Sequence, residues 1–455
     1  MSQRSLDLAR DAWKSRSPTA AFLRRLLPDS LSSAFDRTLF ALVVGVVITT
    51  GYLQGALSIA LTLPAVLGGG SIVFLQAVMA CLTLSGLFGF SGIVLVGQVL
   101  FAEDDCFPET GPTVTAIVPV HQDGAVLHRS VESLLASRYE DLQVLVVAEP
   151  GDRSSIECAR EYTSHDRVDL LVNTRYPGSK SGAVNHAAEV TESEHIAVFD
   201  ADEVVDPRFV STAVAKLEDC DVVQGRTIPE PDGAIETVAY YESVVLGDLS
   251  QRLLTAVTDF TMAASRTIVM RREAFETVDG YDPEMLTEDY DFAFACYEAD
   301  LDVVEQFSYA STIEAAHSVR DWWGQRKRWM TGYAQVLHSL IRGAVSPENY
   351  RSLLSPVICA GSVFGNVFML SLVSKMAVLV INGATGWIVL PGATLIGSAL
   401  ALRLYDTRSG RLGSVGVGYL VMPAVLPLYS LVGIKAVVGY VFTWDGEWYS
   451  VAKGS

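Results

Sequence analysis

Five long apolar runs constrain this chain more than any other feature: Leu39 to Leu67 and Ser71 to Leu100 before the middle, then Leu353 to Ile381, Trp387 to Leu402 and Val415 to Val441 after it. Most exceed the roughly 20 residues a helix needs to cross a bilayer. A mean hydropathy of +0.31 agrees with burial in lipid. The first run follows a long polar stretch and is itself followed by a second run, so it reads as an anchor and not a cleaved leader.

The layout expected is a basic tail (1–37), two transmembrane helices (38–100), an α/β domain (101–320), an amphipathic interface helix (321–350), about three further crossings (351–443) and a tail (444–455). The N-terminal tail carries Arg4, Arg10, Lys14, Arg16, Arg24, Arg25 and Arg37 against Asp7, Asp11, Asp29 and Asp36. By the positive-inside bias this tail is cytoplasmic. Two crossings then return the middle domain to the cytoplasmic side of a multi-pass cell-membrane protein.

The formal charge of −19 excludes nucleic acid as a partner, since phosphate recognition needs a basic field. Cys81, Cys106, Cys158, Cys220, Cys296 and Cys359 form no CxxC pair, which suits a reducing compartment.

Within the middle domain, Thr113 to Val120, Val144 to Val147, Val168 to Val172 and His195 to Asp200 are short β-branched runs of the kind found in buried parallel strands. Helical patterns such as Lys180 to Val190 separate them. Ligands of such sheets sit beyond the carboxyl ends of the strands, where Glu149, Asp152, Asp200 and Asp202 are expected.

Three clusters carry chemistry. Asp200-Ala201-Asp202 puts two carboxylates at a strand end, where a hard divalent cation, Mg²⁺ or Mn²⁺, relieves their repulsion and takes its remaining ligands from substrate phosphates; Asp202 is expected as the direct ligand. Taken alone, the pair also suits a helix cap. Thr287-Glu288-Asp289 opens a helix, where acids are favoured for dipole reasons as well as for catalysis. In Gln325-Arg326-Lys327-Arg328-Trp329, a helix places Gln325, Arg328 and Trp329 on one face, a platform for sugar and pyrophosphate. The surrounding Trp322, Trp323 and Lys327 read as an interfacial belt.

In this order the three clusters resemble the DxD, TED and Q(Q/R)xRW motifs of processive family 2 membrane glycosyltransferases, the cellulose, chitin and hyaluronan synthase group. The resemblance spans about residues 111 to 345. It implies a GT-A catalytic domain with a mostly parallel central sheet, flanked by transmembrane helices. It also implies an inverting transfer from a nucleotide-sugar donor, a UDP-sugar, to a growing polysaccharide among membrane lipid; the alternatives are a single addition to a lipid-linked acceptor and a non-catalytic membrane subunit that retains the fold. Asp202 then holds the metal, Asp200 contacts nucleotide and metal, and Asp289 is the general base.

Lys180 resembles the family's Lys-x-Gly-x-x-Asn segment near the donor, and Glu149, Asp152, Glu288, Gln325, Arg326, Arg328 and Trp329 complete the expected substrate contacts. The family's adjacent aspartates after the second strand are replaced here by Glu149 and Asp152. Trp448 to Lys453 weakly resembles the cellulose synthases' gating loop, yet three crossings after a cytoplasmic domain would leave that segment outside. His121, His186 and His317 are given no role.

Overall fold

The structure is a computed structural model and describes residues 31–66, 71–100, 106–444 and 449. Most of the basic tail, and Trp448 and Lys453, lie outside the described residues. Helices α1 (Leu31–Val66) and α2 (Ser71–Leu100) precede the α/β domain. The domain runs β1 (Val114–Val120), α3 (Leu127–Leu135), β2 (Leu142–Ala148), α4 (Arg153–Tyr162), β3 (Val168–Val172), α5 (Lys180–Val190), β4 (His195–Val198) and α6 (Phe209–Lys216). It continues with β5 (Val222–Pro229), α7 (Ala234–Glu242), a π-helical stretch (Ser243–Leu249), α8 (Ser250–Thr258), β6 (Ile268–Arg271), α9 (Arg272–Thr277), α10 (Glu288–Glu298) and β7 (Val303–Ile313). Four helices follow: α11 (Val319–Gly343), α12 (Tyr350–Ile381), α13 (Gly386–Arg408) and α14 (Met422–Thr443).

The seven strands form one sheet in the order β3-β2-β1-β4-β6-β5-β7. Every neighbouring pair is parallel except those of β6, which runs antiparallel to β4 and to β5. This is the GT-A-like, mostly parallel arrangement that the motifs imply. Strands β1 and β2 pair in register from Val114↔Leu142 to Val120↔Ala148, and nearly every side chain in both is buried. Continuous β-branched runs fit this environment because helices cover both faces.

The two faces differ in what covers them. On one, α3, α4 and α6 bury Leu127, Val131, Ile156, Phe209 and Val210 against the sheet. On the other, Val184, Phe292 and Phe294 join a core that extends to Phe40 and Val44 of α1, to Ile358 and Val363 of α12, and to Tyr440 of α14. The α/β domain and the apolar helices therefore share one core. Each fully buried Phe contributes about 1.5–3 kcal/mol.

A buried ionic knot adds a second tie. Arg226 of β5 lies 2.7 Å from Asp248 and 2.5 Å from Asp406 near the end of α13, and the Tyr240 hydroxyl donates to Asp406 over 2.7 Å. Such a knot does little for net stability when intact and costs much when one member is lost.

The stretches Ser33–Thr50, Phe74–Gln98 and Gly386–Arg408 are long and apolar enough to cross a membrane, while Pro427–Thr443 is a shorter apolar segment. The last helix takes an unexpected course. Val432 packs with Trp322, Tyr429 and Ala436 with Met330, and the Tyr440 hydroxyl meets His338 Nδ1 at 3.0 Å. Thus α14 runs alongside α11 for most of its length. His338 itself sits among Phe40 (4.7 Å between ring centroids), Trp444 (5.4 Å) and Tyr440 (6.1 Å), with its Nε2 3.1 Å from Asp36.

Candidate active site

Strand β4 delivers the first carboxylates. Beyond Val198 the chain turns tightly: Asp200 N–H donates to the Glu203 carboxylate over 2.8 Å, and Glu203 N–H returns to Asp200 O over 3.2 Å. The Thr267 hydroxyl also donates to Glu203. Burial, then the charge of Asp200, pushes the Glu203 carboxyl up to about 8. Asp202 is buried at 2% exposure, whereas Asp200 is partly open and ion-paired with Lys180. Lys180 opens α5, whose cap Ser179 accepts from Gly182 N–H over 3.0 Å, so the lysine is aimed from a fixed helix start.

The second cluster comes from the turn into α10. Thr287 takes the cap position but its side chain makes no capping hydrogen bond, and Asp289 accepts only its neighbour Tyr290 N–H among the bonds described, over 2.8 Å. Capping by Thr287 is therefore not what holds this turn. The buried Glu288 accepts from the Ser265 hydroxyl over 2.8 Å, and burial followed by Asp289 raises its carboxyl. From α11, Gln335 accepts from Leu286 N–H over 3.0 Å and donates to Glu284 O over 2.9 Å. Gly332 of the same helix meets Thr287 so closely that a Cβ would stand 2.8 Å from the Thr287 Cβ.

The third cluster divides by helix face. Arg328 faces the acids: burial depresses its charge, and Glu288, Asp289 and Asp200 work in the opposite direction. Arg326, expected as a substrate contact, points elsewhere and is buried against Glu242 at 2.9 Å, where the Trp322 indole N–H also donates over 2.7 Å. Two residues along a helix are a rotation of about 200°, which puts the two arginines on opposite sides. Arg326 instead supports its neighbours, donating to Gln325 and lying 4.5 Å from the Trp329 ring centroid. Gln325 and Trp329 remain partly exposed.

The acids after β2 are occupied by the protein itself. Asp152 caps α4, accepting from Ser155 N–H (3.1 Å), the Ser154 hydroxyl (2.8 Å) and Gln122 N–H (2.5 Å). Burial opposes its charge, yet these bonds win and hold the carboxyl down at about 2. In this structure the Asp152 carboxylate, expected at the substrate, holds a loop and a helix start. Glu149 accepts from Asn173 Nδ2 and Gly178 N–H, each over 2.8 Å, and so fixes the loop leading to Lys180.

Two residues went unread in the sequence. Glu203 underlies the Asp-Ala-Asp turn. Arg266 precedes β6, where burial works against its charge but Asp200, Asp289, Glu203 and Asp202 outweigh it. Near the C-terminus the Tyr449 hydroxyl donates to Asp321 over 2.9 Å, and its ring covers Gly324, one residue before Gln325.

Among the described residues no three His, Cys, Asp or Glu side chains come together as a metal cage. Asp200 and Asp202 are a hard-oxygen pair, which suits Mg²⁺ or Mn²⁺ when a substrate diphosphate and water complete the shell.

Comparison with known proteins follows the same boundaries. The family model described as glycosyltransferase like family 2 matches residues 112–332. A beta-monoglucosyldiacylglycerol synthase of Trichormus variabilis is 26% identical over 231 residues, 49% of this chain and 49% of the relative. The cellulose synthase catalytic subunit [UDP-forming] of Pseudomonas fluorescens is 24% identical over 246 residues, 51% of this chain and 32% of the relative. The chain thus spans about half the length, or less, of these relatives. Among solved structures, the mannosyltransferase PcManGT from Pyrobaculum calidifontis, in complex with GDP-Man and Mn²⁺, aligns over 78% of this chain and 97% of its own at 17% identity, with a TM-score of 0.47.

Proposed function

We propose that this chain, whose residues 112–332 carry a glycosyltransferase family 2 domain, transfers a sugar with inversion from a nucleotide-sugar donor, a UDP-sugar, to an acceptor held at the membrane. The observation that carries the reading is convergence: Asp200 beyond β4, and Glu288 and Asp289 at the start of α10, all act on the Arg328 guanidinium from α11.

In this reading Asp289 accepts the proton of the acceptor hydroxyl as that oxygen bonds to C1 of the sugar and the bond from C1 to the diphosphate breaks. Lys180 and Arg328 offset charge on the departing nucleoside diphosphate. A divalent cation held by Asp202 and Asp200 supplies further charge neutralisation there when bound. Gln325 and Trp329, kept in place by Arg326, receive the acceptor end.

A growing polysaccharide is the acceptor we favour, given the order of the three motifs. A lipid acceptor is a second reading, favoured by the glucosyldiacylglycerol synthase relative and by the core shared between the sheet and the apolar helices. Purified full-length chain supplied with radiolabelled UDP- and GDP-sugars, with Mn²⁺ or EDTA, tests both through the product, a polymer ladder or a single glycolipid. Asp289→Asn and Asp202→Asn should each remove turnover, the first by on the order of 10²- to 10⁴-fold with donor binding kept. Full transfer by Asp289→Asn, or undiminished transfer in EDTA, would sink the corresponding role.

A further inference from the structure

The loop before β6 places a cation where neither the motifs nor the donor reading above requires one. Strands β4 and β6 pair antiparallel from His195↔Arg271 to Val198↔Ile268. Just before the strand, Thr267 takes a left-handed backbone (φ 43°) and its hydroxyl donates to Glu203 of the Asp-Ala-Asp turn. The loop is held there from several sides: Gln224 accepts from Ala264 N–H over 2.6 Å and donates to Arg266 O over 3.1 Å, Gly225 N–H donates to Thr267 O over 2.7 Å, and Ser265 bonds Glu288. Residue 266 is therefore fixed between the Asp-Ala-Asp turn and the Glu288-Asp289 turn, and it is partly buried.

We propose that Arg266 is a standing cation of the nucleoside-diphosphate subsite, spanning the gap between Asp200 and Asp289 and binding phosphate oxygens alongside Lys180 and Arg328. The proposal rests on the donor reading and adds to it. Here the carboxylates Asp200, Asp202, Glu203, Glu288 and Asp289 crowd a space that must also admit a diphosphate. A divalent ion comes and goes, whereas a guanidinium is always charged and presents a planar fork suited to phosphate. Its charge is upheld by the acids around it, as described above. Arg266 thus carries part of the neutralisation that a metal alone would otherwise carry. The site should keep measurable affinity for a nucleoside diphosphate without metal, and should bind metal less tightly than its acids alone would.

The test uses full-length chain in detergent, with Mn²⁺ binding read by electron paramagnetic resonance and UDP or GDP binding read by calorimetry in EDTA. Removing one charge several ångströms from the pair in Arg266→Gln should tighten Mn²⁺ by on the order of tenfold and weaken metal-free nucleotide binding by a similar factor. These opposite shifts separate a charge role from a merely structural one, which would weaken both. Arg266→Lys keeps the charge and loses the fork, so Mn²⁺ affinity should stay at the wild-type value while nucleotide affinity drops about threefold. Should the glutamine variant fail to fold, the lysine variant decides: altered Mn²⁺ affinity, or unchanged nucleotide affinity, overturns the proposal. In a folded Arg266→Gln chain, unchanged affinity for both ligands does the same. A wild-type chain that binds neither nucleotide even with Mn²⁺ overturns the donor reading itself, and this proposal with it.

Discussion

Replacing Gly332 by alanine sets two effects against each other. In a helix interior alanine is favoured over glycine by about 1 kcal/mol, so propensity alone predicts a more stable α11. Against this, the new Cβ would lie 2.8 Å from Thr287 Cβ and closer still to its Oγ1 and Cγ2. Carbon atoms pack comfortably near 3.5–4.0 Å, so one side must retreat by about 1 Å, and overpacking of this kind costs about 1–3 kcal/mol. The two terms leave a net loss of at most about 2 kcal/mol, a shift of a few degrees in the unfolding midpoint. Function should suffer more, because Thr287 leads directly into Glu288 and Asp289, and a displacement of about 1 Å at a reacting group can cost on the order of 10²-fold in rate. The expected result is therefore a folded chain with turnover down by about that factor in the labelled-sugar assay. Thr287→Gly should recover most of it in the double variant, since it removes all three crowding atoms, among them a buried hydroxyl without a described hydrogen-bond partner. Wild-type turnover in Gly332→Ala, or no recovery in the double variant, would refute the idea that this contact sets the position of Asp289.

Three more outcomes follow from the packing. Asp406→Asn leaves Arg226 buried with half its charge compensation gone, so the thermal midpoint should fall by the equivalent of about 3 kcal/mol, and a midpoint within a degree of wild type would contradict the knot. His317 lies 2.8 Å from Glu236 and 2.5 Å from Glu314, bonds that raise its pKa above the ordinary 6.5 while burial opposes them. Because the folded value is the higher one, the stabilisation is fully present below about pH 6.5 and is lost as pH rises through the folded value. The stability gap between wild type and His317→Gln should accordingly close in alkaline buffer, and a gap that widens would reverse the assignment. If α14 lies in the interface beside α11, only α12 and α13 cross after the catalytic domain, and a reporter after residue 449 should be cytoplasmic, like one near residue 105; external protease access to either would exclude this topology.

The sequence made the strands legible because their side chains are buried on both faces and so read as unbroken β-branched runs; Val168–Val172 and the helix Lys180–Val190 fall where the pattern places them. What it hid depends on neighbours distant in the chain. Arg266 follows an unremarkable Ala-Ala-Ser, and only the folded loop before β6, with Ser265 bonded to Glu288 and Thr267 to Glu203, sets it between the two acidic turns. Asp152 looked like a free acid at a strand end, although Asp-Arg-Ser-Ser is also a helix-cap pattern, and its bonds to Ser154 and Ser155 show that pattern in use. Arg326 shares a motif with Arg328 but not a helix face. The course of α14 was hidden because an apolar run states affinity for lipid without stating direction. Tyr449 rests on Gly324 of α11, a contact that no pattern in the sequence announces.

The ring of aromatic residues around His338 also bears on how the protein is made. Phe40 emerges from the ribosome roughly 400 residues before Trp444, and at typical synthesis rates that interval lasts tens of seconds. Throughout it, α1 must wait with one face unsatisfied, since the groups that complete its packing come from α11, α12 and α14. A chain cut short before Tyr440 would carry an intact sheet and every motif, yet could not close this ring. Such a product should be cleared by membrane proteases. In that sense α14 acts as a seal on assembly, closing only after the sheet and every motif have been made.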